Sequence, residues 1–154
     1  FSCVPESKPM ITIVEPDKAD CLYRTARAND GKLHPVTGDM DSMMAGLCCG
    51  EPCTIGWEVL RRKADYFISM SDDIAALGMR ILGNPLGSDP KIVSGESGAA
   101  SMGFVTALLT DKKLENLKNA MGINEHSRVL CVSTEGATDR ENYQKILAKG
   151  PVEL

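Results

Sequence analysis

The run YFISMSDDIAALGMRILGN, residues 66–84, leads from a strand-like segment straight into a helix-like one. Its first five residues combine aromatic and β-branched side chains, which favours a short strand. Ser71 then offers a helix N-cap, and two aspartates follow in the first turn, where the helix dipole favours negative charge. Gly-Asn-Pro at 83–85 ends the run. The stretch predicts one strand followed by one helix.

The same order recurs on both sides of this run. MITIV (10–14) predicts a strand before a short helix in DKADCLYRTA (17–26). KIVSG (91–95) predicts a strand before a helix in AASMGFVTALL (99–109), whose small residues allow close packing against a neighbouring sheet. The remaining helices are predicted from apolar spacing and stop signals, within 38–50, 54–63, 111–122 and 139–149.

The strongest predicted strand is RVLCVS (128–133), which is largely apolar. The predicted strands are nearly continuous apolar runs and lack the period-two pattern of a sheet with one face in solvent. Strands of this kind that alternate with helices are typical of an α/β fold. We therefore predict a three-layer parallel sheet with helices on both faces.

The size and net charge of the chain argue against some classes of binding partner. The chain has 154 residues, the size of a single domain, and a net charge of −4 with no basic stripe, which argues against nucleic acid as a partner. No segment reaches the roughly 18 uninterrupted apolar residues of a membrane span, so we predict no membrane partner. The chain does not begin with methionine, so a mature product or a piece of something longer is expected.

The six cysteines fit neither a zinc site nor a disulfide framework. Cys48, Cys49 and Cys53 lie together in LCCGEPC, but no second cysteine pair or nearby histidine completes a zinc ligand set. Cys131 lies in an apolar run, where a thiol behaves as a small hydrophobic group. Reduced thiols and a cytoplasmic location are predicted.

Candidate site residues follow the predicted strands, because open α/β sheets bind ligands beyond the carboxyl ends of their strands. Glu96 and Ser97, in SGESGA, are an acid and a hydroxyl at the start of a helix. The alternative is that Ser97 only caps that helix while the glycines allow tight packing. Such a Gly-rich turn matches neither a Walker loop nor a dinucleotide fingerprint.

A second candidate pair, Ser133 and Thr134, begins the segment STEGATD. A neutral hydroxyl there can hydrogen-bond a heteroaromatic nitrogen without forcing it to be charged, whereas a carboxylate would keep the ring protonated. The alternative is a simple N-cap for the last helix, a role that Thr138 or Asp139 would fill equally well.

Three longer segments carry a resemblance to a known family. They are IVEPDKADCLYR (13–24), the run from GDMDSMM (38–44) through SGESGAA (94–100), and VLCVSTEGATD (129–139). Together they resemble diaminopropionate ammonia-lyases, pyridoxal phosphate (PLP) enzymes with the fold of the tryptophan synthase β subunit, known as fold type II. The likeness runs over nearly the whole chain.

The resemblance implies a reaction and a set of site residues. The reaction is α,β-elimination from 2,3-diaminopropionate, a small amino-acid substrate, to give pyruvate and ammonia with PLP as the electron store. By the family's pattern, Ser133 faces the ring nitrogen of the cofactor, with Thr134 as the near alternative. Glu96 and Ser97 become pocket-lining residues. A homodimer is implied for the full-length enzyme.

The resemblance also implies that residues 1–154 form one partial domain. The family's Schiff-base lysine and phosphate loop lie in the N-terminal half, so Lys18, Lys63 and Lys91 are interpreted as surface charges. We expect the C-terminal part of the large PLP-binding domain, without the N-terminal half or the small domain. No catalytic residue is assigned, and the chain alone is expected to be inactive and not to retain PLP.

A metal site is not predicted. Related serine racemases bind a divalent cation near the equivalent of residues 15–21. Glu15 and the Ala19 carbonyl match that pattern, but the third place falls on Cys21, a poor ligand for a cation that prefers oxygen. Two alternative functions stay open, a threonine or serine dehydratase of the same fold and a non-catalytic truncated α/β binding module.

Overall fold

The computed structural model describes residues 8–152, which form two compact units. The first unit comprises the chain up to Ser42 together with Leu47–Met70. The second comprises Met43–Gly46 together with the chain from Ser71 onward. No helix within residues 8–152 has the length and apolar character needed to cross a bilayer.

The first unit is built on a parallel pair of strands, β1 (Thr12–Pro16) and β2 (Tyr66–Met70). Their register is continuous, from Thr12 opposite Tyr66 to Pro16 opposite Met70. The connection between them contains helices α1 (Cys21–Ala28) and α2 (Thr54–Lys63). Helix α1 begins after the predicted start because the Asp17 N–H donates to the Met70 carbonyl, which keeps the chain in a turn after β1. The parallel pairing confirms the predicted α/β class.

The second unit contains the longer helices. Helix α3 spans Asp72–Gly83 and α4 spans Glu96–Thr110. Two short helices follow, α5 (Glu115–Ala120) and α6 (Arg140–Leu147). A buried core cluster joins α3, α4 and α6 through the side chains of Met79, Ala99, Tyr143 and Ile146.

Helices α3 and α4 approach until their backbones touch. A Cβ atom on Gly78 would lie 2.6 Å from the Gly103 nitrogen, and one on Gly103 would overlap the Ile74 carbonyl oxygen. Only glycine fits at both places. The small residues of α4 were predicted to pack against a sheet, and among the described residues their close partner is instead a helix.

Two predicted strands do not form ladders in the described part of the chain. Residues 91–95 and 128–133 carry no strand assignment, and Val93, Leu130 and Val132 are exposed. A ladder needs repeated backbone hydrogen bonds between two segments. In the described part of the chain, the Gly95 N–H donates instead to the carbonyl of Glu135, which lies just beyond the second segment.

The predicted helix within 38–50 is reduced to a short 3-10 turn at Ala45–Leu47. The apolar spacing of Met43, Met44 and Leu47 is the helical signal that gave the prediction. Gly46 lies inside this stretch, and glycine disfavours a continuous helix because it loses the most backbone entropy when ordered.

Candidate functional site

Two segments distant in sequence meet at the start of α4 in the second unit. The Ser94 and Ser133 hydroxyl oxygens lie 2.8 Å apart. The Gly95 N–H donates to the Glu135 carbonyl at 3.0 Å. The predicted strand ends at 91–95 and 128–133 are therefore neighbours, as expected for strands whose carboxyl ends share one edge of a sheet.

Glycines allow this close approach. A Cβ on Gly98 would lie 2.6 Å from the Glu135 carbonyl oxygen and 2.7 Å from the Ser94 hydroxyl oxygen. A Cβ on Gly95 would overlap the Gly136 carbonyl oxygen. The glycines of SGESGA therefore let a second segment lie against the first turn of α4, which is the packing role considered for them from the sequence.

The Glu135 side chain caps α4 from outside the helix. Gly95 occupies the N-cap position and has no side chain to fill that role. The Ser97 N–H instead donates to Glu135 Oε2 at 2.8 Å, while the Thr138 hydroxyl donates to Oε1 at 2.9 Å. Partial burial raises the pKa of Glu135, but these donors outweigh burial and hold that pKa below its ordinary value. The capping group is therefore an anion at neutral pH.

Glu96 and Ser97 are both buried, at 4% and 8% exposure. Glu96 Oε1 accepts a hydrogen bond from the Asn142 amide at 2.7 Å. The Ser97 hydroxyl accepts from the Gly46 N–H at 3.0 Å. Ser97 lies within the first turn of α4 and is not its N-cap, so the capping alternative considered for it is wrong.

Ser133 and Thr134 are exposed. They do not cap the last helix, because Asp139 is the N-cap of α6 and accepts from the Asn142 N–H at 2.9 Å. Ser133 is therefore available to a ligand beyond its contact with Ser94. The structure brings Ser97 and Ser133 to the same helix start. Glu135 contacts Ser97, and Ser94 contacts Ser133.

Two residues of this cluster were missed by the sequence reasoning. Gly46 and Asn142 support Ser97 and Glu96 from 51 and 46 positions away. Neither residue belongs to a recognisable motif. Gly46 contributes only a backbone N–H and Asn142 only a side-chain amide, and neither group produces a characteristic sequence pattern. Such pairings are set only when the chain folds.

A second polar cluster lies in the first unit, where β1 leads into α1. Glu15 is 7% exposed, and its carboxylate accepts from the Leu22 N–H at 3.1 Å and from the Tyr23 N–H at 2.7 Å. Burial, together with the Glu15 charge, raises the pKa of the neighbouring Cys21 thiol to about 11. The Glu15 carboxylate and the Cys21 thiol are thus engaged within the protein. Residues 8–152 contain no group of three histidine, cysteine or acidic side chains suited to an ion.

Glu15 leads to a pH prediction. Burial raises the pKa of its carboxyl, and the Tyr23 and Leu22 N–H donors offset only part of that rise. Because the folded-state pKa lies above the unfolded one, the carboxyl's contribution to stability is full below pH about 4.5 and is lost as pH rises through the folded pKa. The unfolding free energy of the parent chain, relative to Glu15→Gln, should therefore fall as pH rises from 4 to 8 in urea titrations.

Glu58 is the matched control for that series. It is an exposed carboxylate whose pKa is lowered by its hydrogen bond from Arg61. Its contribution has the opposite sign and is lost as pH falls. If Glu15→Gln and Glu58→Gln gave the same slope against pH, the burial argument for Glu15 would be wrong.

A surface hollow elsewhere in the first unit is lined by Lys8, Met10, Asp65 and Tyr66. It lies at the amino ends of β1 and β2, opposite the edge where open α/β sheets bind ligands. None of the predicted site residues lines it.

Comparison with known proteins identifies close relatives. No protein-family model matches the chain. Diaminopropionate ammonia-lyase of Escherichia coli K12 is 49% identical over 138 residues, covering 90% of this chain and 34% of the relative. The Salmonella typhimurium protein of the same name is 43% identical over 146 residues, covering 94% and 36%. The chain therefore spans about a third of the length of the curated relatives it matches.

Solved structures agree with the sequence comparison. The E. coli diaminopropionate ammonia lyase in complex with D-serine has a TM-score of 0.80, 45% identity and coverage of 92% of this chain and 34% of that chain. The same enzyme with an aminoacrylate-PLP azomethine reaction intermediate has a TM-score of 0.79, 46% identity and coverage of 90% and 34%. A threonine deaminase from T.th., at 20% identity and a TM-score of 0.56 over 68% of this chain and 34% of its own, shares the fold. The resemblance read from the motifs and the fold-type II assignment are confirmed.

Proposed function

We propose that this chain supplies one wall of the PLP site of a diaminopropionate ammonia-lyase, which eliminates ammonia from 2,3-diaminopropionate and forms pyruvate. The observation that carries the proposal is the meeting of the Ser133 and Ser94 hydroxyls at the start of α4, where Ser133 as a residue stays exposed. The 49% identity to the E. coli enzyme over 90% of the chain supports the choice of reaction.

The residues at this edge fit the ring of PLP. A serine hydroxyl has one donor and two acceptor sites, and its contact with Ser94 uses only one of them. Ser133 therefore keeps hydrogen-bonding capacity for a ring nitrogen. Gly95 and Gly98 carry no side chain, so the turn that carries Ser133 can lie against the start of α4.

Each of this chain's residues has a limited task in the proposal. PLP, when bound, supplies the electron sink for an α-carbanion. Ser133 binds the ring nitrogen without forcing a positive charge on it, with Thr134 as the alternative partner. Glu96 and Ser97 form the buried floor beside the site. No lysine of this chain is assigned a covalent role, and a homodimeric assembly of the whole enzyme stays a prediction.

A dehydratase acting on threonine or serine is the rival enzyme. The fold does not separate the two, because threonine deaminase shares it. The identity to diaminopropionate ammonia-lyases, 43–49%, against 20% to threonine deaminase, favours the first. A non-catalytic module is the third possibility, and activity in a complete enzyme separates it from both.

The test is a chimera in which this chain replaces the matching segment of the E. coli enzyme. We expect the chimera to release pyruvate from 2,3-diaminopropionate, with no comparable conversion of threonine, and the isolated chain to release none. Preferred turnover of threonine would favour the dehydratase. A folded chimera that binds PLP but turns over neither amino acid would contradict the lyase assignment.

Ser133→Asp is the sharpest single change in that chimera. A carboxylate would hold the ring nitrogen protonated, so we expect a shifted absorption band of the bound cofactor and an elimination rate lower by at least about tenfold, or 1.4 kcal/mol of activation free energy. Ser88→Asp is the control, since it places the same charge on an exposed serine of the second unit. An unchanged band and rate in Ser133→Asp would remove Ser133 from the site.

A further inference from the structure

The turn that carries Ser133 is attached to α4 mainly through one residue. Glu135 contributes both its main-chain carbonyl, which accepts from the Gly95 N–H at 3.0 Å, and its side chain, which accepts from the Ser97 N–H at 2.8 Å. These are two of the N–H groups that a helix start leaves without partners inside the helix. The Ser94 to Ser133 contact lies directly beside them.

The second carboxylate oxygen ties the turn to itself. Glu135 Oε1 accepts from the Thr138 hydroxyl at 2.9 Å, so the carboxylate bridges the helix start and the far end of the turn. Both oxygens are thus engaged within the protein, which leaves Glu135 poorly placed to act on a ligand directly. The lowered pKa of this carboxyl agrees with a charge held by these donors.

We propose that Glu135 is the positioning residue of this site, whose carboxylate fixes the 133–138 turn on the start of α4 and thereby sets where the Ser133 hydroxyl meets the cofactor ring. The inference rests on the proposed function for the identity of the ligand. The other part of the proposal, that the Glu135 carboxylate fixes the turn, rests on hydrogen bonds within this chain.

The contact itself is tested in the isolated 154-residue chain by amide NMR. The Ser97 amide proton should shift as Glu135 ionises, with a midpoint below pH 4.5, the ordinary value for glutamate. Glu135→Ala should abolish that titration and broaden or shift the amide signals of residues 133–138. A Ser97 amide that does not respond to pH, or that is unchanged in the variant, would overturn the proposal.

The positioning role is tested by a double-mutant cycle in the PLP-loaded chimera. Glu135→Ala and Ser133→Ala should each weaken PLP binding by about tenfold and shift the cofactor's absorption band, and the double variant should be no worse than either alone. Glu135→Gln, which keeps an acceptor for the Ser97 N–H, should restore most of the affinity. Fully additive losses would overturn the positioning role, because a residue that acts through Ser133 has nothing to position once that hydroxyl is gone.

A control variant tests whether losing any helix cap affects PLP binding, or only losing the cap that Glu135 provides. Asp111 caps the 3-10 turn at Lys112–Leu114 by accepting from the Lys113 N–H at 2.9 Å. Asp111→Ala should leave PLP affinity and the absorption band unchanged. If Ser133→Ala also left both unchanged while the Ser97 amide titrated as expected, the proposed function would fail and Glu135 would be a cap without a role in cofactor binding.

Discussion

Replacing Gly103 by alanine is expected to lower the unfolding free energy of the chain by about 3 kcal/mol or more, at the upper end of overpacking costs. The added methyl group would overlap the Ile74 carbonyl oxygen and would lie 3.2 Å from the Gly78 nitrogen. Both are backbone atoms of α3, which cannot rotate away as a side chain can. The two helices must move apart, and the buried cluster around Met79, to which both helices contribute, then loses packing contacts. Urea unfolding followed by circular dichroism measures the loss.

Gly56→Ala is the matched control, because it makes the same change in helix α2. There the new Cβ would meet the Cys53 Cβ at 3.5 Å, an ordinary contact. Alanine favours a helix more than glycine does, so we expect no loss and a gain of up to about 0.5–1 kcal/mol. A Gly103→Ala chain as stable as its parent would show that α3 and α4 do not cross at this distance.

The second large effect is expected from Gly95→Ala, at the candidate site. Its backbone angles suit alanine, but the added Cβ would overlap the Gly136 carbonyl oxygen and lie 3.2 Å from Glu135 Cδ. The 133–138 turn must therefore move off the start of α4. We expect a loss of about 1–3 kcal/mol in the unfolding free energy of the chain, and PLP binding in the chimera weakened by at least about tenfold, since Ser133 moves with the turn.

Gly136→Ala is the comparison on the other side of the same contact. Among residues 8–152, no atom beyond Gly136 and its two chain neighbours lies within 4 Å of a Cβ built there. Its unfolding free energy should stay within about 0.5 kcal/mol of the parent. Equal losses in Gly95→Ala and Gly136→Ala would show that the clash at Gly95 is not what disturbs the turn.

Local patterns in the sequence predicted most of the helices. Residues 54–63 and 66–70 fold as predicted, because apolar spacing and β-branched content act within a few residues. Residues 91–95 and 128–133 were also predicted as strands, the second as the strongest, but they form no ladder in the described part of the chain. A strand pattern shows that a segment can adopt an extended backbone. Forming a ladder also requires a neighbouring strand, and the sequence of the segment does not specify that strand.

The sequence by itself determined the α/β class, the family resemblance and the short set of candidate residues that includes Glu96, Ser97, Ser133 and Thr134. Only the tertiary structure decided how these differ. It buried Glu96 against Asn142, engaged Ser97 with Gly46, and left Ser133 an exposed residue whose hydroxyl contacts that of Ser94. The reason is physical. Residue type and spacing fix which hydrogen bonds a segment can make, but contacts across about 40 to 50 positions form only when the backbone brings the segments together.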